Sequence, residues 1–268
     1  MVYDGKEYNE DSPVLTEVNG KVAYVIHKDS KAFLTYDGKE YGKEYDYVLS
    51  AANINSKLAY VAGKRISVSN PDVSSIVFFD DKKIGEYFKI GGFYNTPDLL
   101  NINGKLTYVV KTKDNQNYIV YGDTQTEKGY TIISAPSGVL GKLAYDVKKD
   151  DKNFIIYDGK EIGKEYDSAQ KIIDVGGKLV YGVTKGTKSF LIYDGKEIGK
   201  EYDRVTQFIN VNGKLAYLAR KGSTSLVVYD GKEIGKEYGF VSKIVSVKGK
   251  LAFVVTKGVF ESFIVIEK

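Results

Sequence analysis

Residues 157–192 read YDGKEIGKEYDSAQKIIDVGGKLVYGVTKGTKSFLI, and residues 193–228 read YDGKEIGKEYDRVTQFINVNGKLAYLARKGSTSLVV. Each stretch is 36 residues long, and 20 aligned positions are identical. A third copy opens at Tyr229 and older ones at Tyr36 and Tyr3, while Phe79-Asp80-Asp81-Lys82 and Tyr121-Gly122-Asp123 hold the same slot in eroded form. A second anchor, Gly/Ser-Lys-Leu/Val-x-Tyr/Phe, starts at Gly20, Ser56, Gly104, Gly141, Gly177, Gly213 and Gly249, with spacings of 36, 48, 37, 36, 36 and 36 residues. Self-similarity at such a period marks a repeat architecture, here with seven units.

Turn chemistry divides each unit into four short strands. In the sixth, 205–211 precedes the turn Asn212-Gly213, and 214–220 follows it with Leu215, Tyr217 and Ala219 alternating with more variable positions. A loop at 221–223 leads to a strand over 225–229, the turn Asp230-Gly231 and a last strand over 232–238. Asn-Gly and Asp-Gly between β-rich runs signal hairpins, because a type I′ turn needs positive φ at both central residues. Helical periodicity is absent, and 28 glycines would penalise helices. The expectation is an all-β, seven-bladed β-propeller with four-stranded antiparallel blades, residues 1–268 forming a single domain. Residues 262–267 form a third strand with no fourth after it, and the chain opens on 2–8, the tail of a third strand and a fourth. The N-terminal strand is therefore expected to complete the last blade and close the ring, which protects sheet edges.

Asn212 to Tyr217 (NGKLAY), followed by Val227-Val228-Tyr229-Asp230-Gly231-Lys232, resembles the TolB-like or WD-type propeller repeat. The resemblance covers nearly the whole chain and rests on turn and core residues. Asn-Gly or Gly-Gly stands where Pro-Asp-Gly is typical, and Trp is absent. Gly-Lys-Glu-Ile…Tyr-Asp is also similar to the WG-type bacterial repeat, again without its Trp. Both resemblances imply a β scaffold and neither implies a chemistry.

Composition narrows the function classes. The chain has no Cys, which excludes disulfides, thiolate metal sites and a Cys nucleophile. The one histidine, His27, excludes His-cluster metal sites. It ends the second strand of the first unit, where a lone His is ordinarily solvated. Thirty-nine Lys and Arg against 35 Asp and Glu leave a net charge of +4, so no polyanionic partner is indicated. No apolar run approaches the roughly 18 residues that span a bilayer, and membrane insertion is not expected. The opening Met1-Val2-Tyr3-Asp4-Gly5-Lys6 lacks a charged-then-apolar signal pattern. The TolB-like resemblance leans extracytoplasmic, and the compartment is left unassigned.

The repeated polar residues read as structural. Asp37, Asp158, Asp194 and Asp230 lead Asp-Gly-Lys-Glu tetrads, and an Asp before Gly supports its own tight turn. A Ca²⁺ site needs six to eight converging oxygens, so no metal is expected. The Tyr-Asp pairs at 166–167 and 202–203 place an aromatic where adjacent blades meet, which suits packing and a hydroxyl hydrogen bond over ligand stacking. Lysines opening the second strands (Lys21, Lys57, Lys105, Lys142, Lys178, Lys214 and Lys250) fall on one rim. The Glu of each neighbouring tetrad offsets them, which argues against nucleic-acid binding. Gly91-Gly92 and Gly63-Lys64 lack the strand–loop–helix context of a phosphate loop.

Symmetry breaks in units two and three. Residues 62–72 lengthen a loop between second and third strands, and 90–97 and 125–137 alter the blade junctions. A single ligand-binding site would sit there, with Arg65, Asn70, Phe93, Tyr94 and Asn95 as candidates, because Arg and aromatics anchor interfaces and Asn both donates and accepts. No catalytic constellation is visible and no cofactor is implied. The leading expectation is a monomeric, non-enzymatic binding scaffold presenting loops to a protein or cell-surface ligand. A multivalent lectin-like carbohydrate-binding module comes second, and a hydrolase-type enzyme with its site in the central channel third.

Overall fold

The computed structural model describes all residues except 1, 4–5, 8–14, 29–30, 66–72, 91–98, 114–115, 127–129, 133, 236–239, 258–260 and 267–268. Among the described residues every regular element is a strand. The chain divides into two compact bodies, Met1–Pro136 and Ser137–Lys268.

In the C-terminal body, repeat five runs through Ser168–Val175, Lys178–Lys185, Lys188–Tyr193 and Lys196–Ile198. Repeat six runs through Arg204–Val211, Lys214–Lys221, Thr224–Tyr229 and Lys232–Ile234. Each is a four-stranded antiparallel sheet in sequence order. The hairpins form as the turn chemistry predicts: φ is +51° and +82° at Asn212-Gly213 and +50° and +77° at Asp230-Gly231. The N-terminal body holds two such sheets. Repeat one runs from Leu15–Val18 to Lys39–Tyr41, and repeat two from Tyr47–Ile54 to Lys82–Tyr87.

Two details differ from the sequence reading. The fourth strand is three residues long in most repeats, because Gly42, Gly163, Gly199 and Gly235 take φ between +76° and +80° and turn the chain away. The second strands do not alternate between buried and exposed: residues 215–219 of Lys214–Lys221 are all buried. Leu215, Tyr217 and Ala219 pack on one side with Val175, Val180 and Leu191 of repeat five. Ala216 and Leu218 pack on the other with Val241, Leu251 and Phe253 of repeat seven. A sheet covered on both faces needs apolar residues at both parities, which erases the period-two signal. This stacking buries repeats five and six between their neighbours.

Polar stitches reinforce the stack. Asp203 accepts from the Gly222 amide at 2.7 Å, and Asp167 from that of Gly186 at 2.6 Å, so the Asp of each Tyr-Asp pair caps the next second-to-third-strand loop. The Tyr hydroxyls donate to a glutamate of the next outer strand, Tyr166 to Glu197 at 3.0 Å and Tyr202 to Glu233 at 2.6 Å. Both rings are buried, so the structural reading of the repeated Tyr is borne out. Val2–Tyr3 pairs with Lys6–Glu7, and Glu261–Ile266 pairs with Lys250–Lys257. No closed sheet is found among the described residues.

Candidate functional site

The rim lysines have a different partner from the one the sequence suggests. Five of the seven bind the Asp of their own repeat's turn: Lys21 to Asp37, Lys57 to Asp80, Lys142 to Asp158, Lys178 to Asp194 and Lys214 to Asp230, at 2.5–3.2 Å. In the last four pairs the ammonium also lies 5.5–6.0 Å from the ring centre of the aromatic that precedes this Asp. Both partners are about half exposed, so solvent screens each pair and it adds little stability. Their arrangement is a reference against which repeat three stands out.

Three of these stitches are broken where repeats two and three meet, two of them in repeat three. Its turn reads Gly122-Asp123 in place of Asp-Gly, and only Gly122 has positive φ, at +59°. Glycine first with the second residue at ordinary φ suits a type II′ turn rather than I′. The inversion moves the carboxylate one residue along, and Lys105 settles 4.6 Å over the Tyr121 ring. In the outer strand Thr124–Gln125, Gln125 pairs with Val120 in the register that Glu197 and Glu233 take elsewhere. The Glu acceptor is thus replaced by an amide.

The third change lies in repeat two. Ile84-Gly85-Glu86-Tyr87 is one residue shorter than Ile162-Gly163-Lys164-Glu165-Tyr166. With the residue missing, the strand Lys82–Tyr87 continues past Gly85 through a bulge at Ile84, where the register shifts between Lys83 and Gly85. Ile84 is left 44% exposed. Tyr87 turns its hydroxyl to that of Tyr108, 3.0 Å away, with the rings edge to face at 5.7 Å. Burial, followed by the bond to Tyr87, pushes the Tyr108 hydroxyl well above the usual tyrosine range.

These departures open a cleft of about 420 Å³ between repeats two and three, within the N-terminal body. Phe79, Leu106, Tyr108 and Val120 supply apolar and aromatic lining, and Ile84, Lys105, Asp123 and Gln125 line it from exposed positions. An apolar cavity of this size with a few polar groups is the usual form of a small-ligand site. Among the described residues no group of three or more His, Asp or Glu side chains could hold a metal ion.

Of the five residues singled out from the sequence, Arg65 ends the strand Lys57–Arg65, its backbone paired with Val73. Asn70, Phe93, Tyr94 and Asn95 lie outside the described residues. The insertion that carries the last three falls inside the first strand of repeat three, between Lys89–Ile90 and Leu100–Ile102, rather than at a blade junction. Arg65 sits at the end of repeat two that bears the second-to-third-strand loop. Lys105, Asp123 and Gln125 cluster at the opposite end, where Asn55 donates to the Gly104 carbonyl at 3.2 Å. The inverted Gly122-Asp123 and the shortened run at 84–87 were the sequence signals for this cleft. His27 is exposed, as a solvated histidine would be.

A second polar cluster lies on the first strands of the C-terminal body. At a bulge in Ser168–Val175, Lys171 adopts φ +54°, and its amide donates to both oxygens of the buried Asp146 carboxylate at 3.1–3.2 Å. Its amine donates to the Phe208 carbonyl at 2.9 Å, and loss of surrounding water holds it below the usual lysine range. Gln207, at the matching bulge, donates to the Ser242 carbonyl at 3.0 Å and accepts from the Ile244 amide at 3.3 Å. These bonds tie consecutive repeats together, which is their evident work.

No family model matches the chain, and no curated protein matches it. Similar solved structures include Pyrococcus horikoshii acylaminoacyl peptidase, at 14% identity and a TM-score of 0.41, covering 94% of this chain and 52% of that one. The β-propeller domain of the Trilobed protease from Pyrococcus furiosus is similar at 16% identity and a TM-score of 0.36, covering 80% of this chain and 77% of that domain. A prolyl endopeptidase is similar at 15% identity and a TM-score of 0.44, with coverages of 94% and 47%. The chain spans about half the length of the acylaminoacyl peptidase and the prolyl endopeptidase. The non-enzymatic binding scaffold expected from the sequence is corrected by these neighbours, which are peptidases, and that reading is set aside.

Proposed function

We propose that this chain is the propeller part of a hydrolase-type protein, and that the cleft between repeats two and three holds a short peptide-like ligand for it. The hydrolase-type reading was among those the sequence left open, and it requires a place that holds a substrate. The cleft is the observation that carries the reading. It lies where the Lys–Asp, Tyr–Glu and turn stitches of the other repeats are undone together, and an apolar interior with amide, cationic and anionic groups around it suits a peptide. On the same reading the seven repeats are seven TolB-like or WD-type blades. Seven recurrences of the Lys-Leu/Val-x-Tyr/Phe anchor and the four-stranded repeats support it.

The test is titration calorimetry with short N-acetylated peptides bearing aromatic or branched residues, alongside cleavage of a peptide library by the protein purified from its source. Saturable one-to-one binding, lost in Gln125→Trp at unchanged thermal stability, and cleavage of the bound sequences are expected. Absence of binding to every peptide, or equal affinity in Gln125→Trp, would refute the cleft. Absence of cleavage by the source protein would refute the hydrolase.

A further inference from the structure

The five repeats with an Asp-Gly or Asp-Asp turn show what a rim lysine does when its carboxylate is in place. The ammonium sits on the turn Asp, and in four of the five it also lies 5.5–6.0 Å from the ring centre of the last third-strand residue. Repeat three keeps the lysine, its aromatic bed and the hairpin, and lacks only the carboxylate in that position. Gly122 has no side chain to offer, and its backbone is covered by the Lys105 stem: a Cβ placed there would meet Lys105 Cδ at 3.3 Å. The ammonium has moved in to 4.6 Å over Tyr121, against 5.5–6.0 Å for four of its counterparts. Lys105 is exposed and lines the cleft, and Asn103 beside it donates to the Tyr121 hydroxyl at 3.3 Å.

A cation poised in a geometry that elsewhere binds a carboxylate, beside an apolar cavity, has a defined complement. We propose that Lys105 receives the carboxylate of a ligand whose apolar side chain enters between Phe79, Leu106 and Val120, such as the C-terminal residue of a peptide. This rests on the reading that the cleft takes a ligand and adds which end of the ligand points where. The ligand oxygens take the place of the Asp that the other repeats supply from their own turn. Asp123, at the other central position of the turn, also lines the cleft, so a second negative charge on the ligand is disfavoured and a single carboxylate fits best. Gln125, in the register position where a Glu stands in repeats five and six, removes a further repulsion and leaves an amide able to donate.

The probes are N-acetyl-phenylalanine and N-acetyl-phenylalanine amide, which share the apolar group and differ in the carboxylate. Calorimetry on the full chain should give an acid-over-amide preference of about tenfold, the ratio one charge-assisted hydrogen bond supplies. The preference should shrink as salt is raised. Lys105→Met keeps the stem and should bring the ratio to about one. So should the paired change Gly122→Asp with Asp123→Gly, which restores the turn of the other repeats and returns the ammonium to an internal partner. Equal binding of acid and amide by the unaltered protein overturns this inference and leaves the cleft standing, whereas no binding of either overturns the cleft itself. A preference that survives in Lys105→Met and in the restored turn places the carboxylate elsewhere and also refutes the assignment.

Discussion

Replacing Tyr202 with Phe deletes one oxygen and leaves the ring in place. The ring is 3% exposed and sits 6.3 Å, edge to face, from Tyr217, contacts that Phe retains. What disappears is the hydroxyl bond to Glu233 of the next repeat, 2.6 Å long. A hydrogen bond to a charged group is worth about 1.5–3 kcal/mol. Glu233 is exposed and regains water once the hydroxyl is gone, so the low end applies and the expected loss is about 1.5 kcal/mol. Tyr166→Phe should cost less, because its bond to Glu197 is 3.0 Å and that carboxylate is shared with Lys200 at 2.6 Å. Urea unfolding followed by far-ultraviolet circular dichroism, run on Tyr202→Phe, Glu233→Gln and the double variant, should give a coupling energy of about 1 kcal/mol. A coupling within about 0.3 kcal/mol of zero, or a larger loss from Tyr166→Phe, would refute the view that the repeated Tyr stitches adjacent repeats.

Three further outcomes follow from named groups. Ser56 takes φ +61° where other repeats have Gly, so Ser56→Gly should stabilise the chain by about 0.5–1 kcal/mol in the same urea assay; a loss would contradict the turn assignment. Burial first, helped by nearby carboxylates, pushes the Tyr166 and Tyr217 hydroxyls up to about 12 from 10.0. A pKa raised on folding gives stability that is complete below pH 10 and lost as pH climbs toward 12, so melting points should fall across that window and hold below it. The Lys171 amine is held below the usual lysine range by desolvation. Carbon-13 reductive methylation should therefore show its dimethylamine titrating below those of Lys142 and Lys214, whose bonds to Asp158 and Asp230 raise them, and the reverse order would refute that placement.

The repeat, its four strands and the type I′ turns were legible because they depend on local chemistry: Asn212-Gly213 and Asp230-Gly231 dictate their own φ values. The sandwiched sheets were not. Ala216 and Leu218 look like tolerant positions in one strand, and only the neighbouring repeat shows that they are buried. The Lys–Asp pairing is not legible in the sequence, where Asp and Glu of the same tetrad are both available to the lysine and only the folded hairpin selects the Asp. The cleft was half legible. Units two and three are recognisably divergent and their long insertions are the conspicuous part, whereas the cleft arises from one missing residue before Tyr87 and one inverted pair at Gly122-Asp123. Small changes in a strict repeat carry more structural information than large ones in loops, because each removes a stitch whose geometry the other copies define.

Repeat three is proposed to depart from its siblings to make a ligand site. Amide chemical-shift mapping with N-acetyl-phenylalanine tests it most directly, since every sibling turn serves as an internal control. Saturable shifts are expected at Ile84, Gly104, Leu106, Gly122 and Gln125, with the equivalent positions at Gly141, Gly177 and Gly213 unmoved. Equal shifts around all the repeat turns, or none at the cleft, would contradict it.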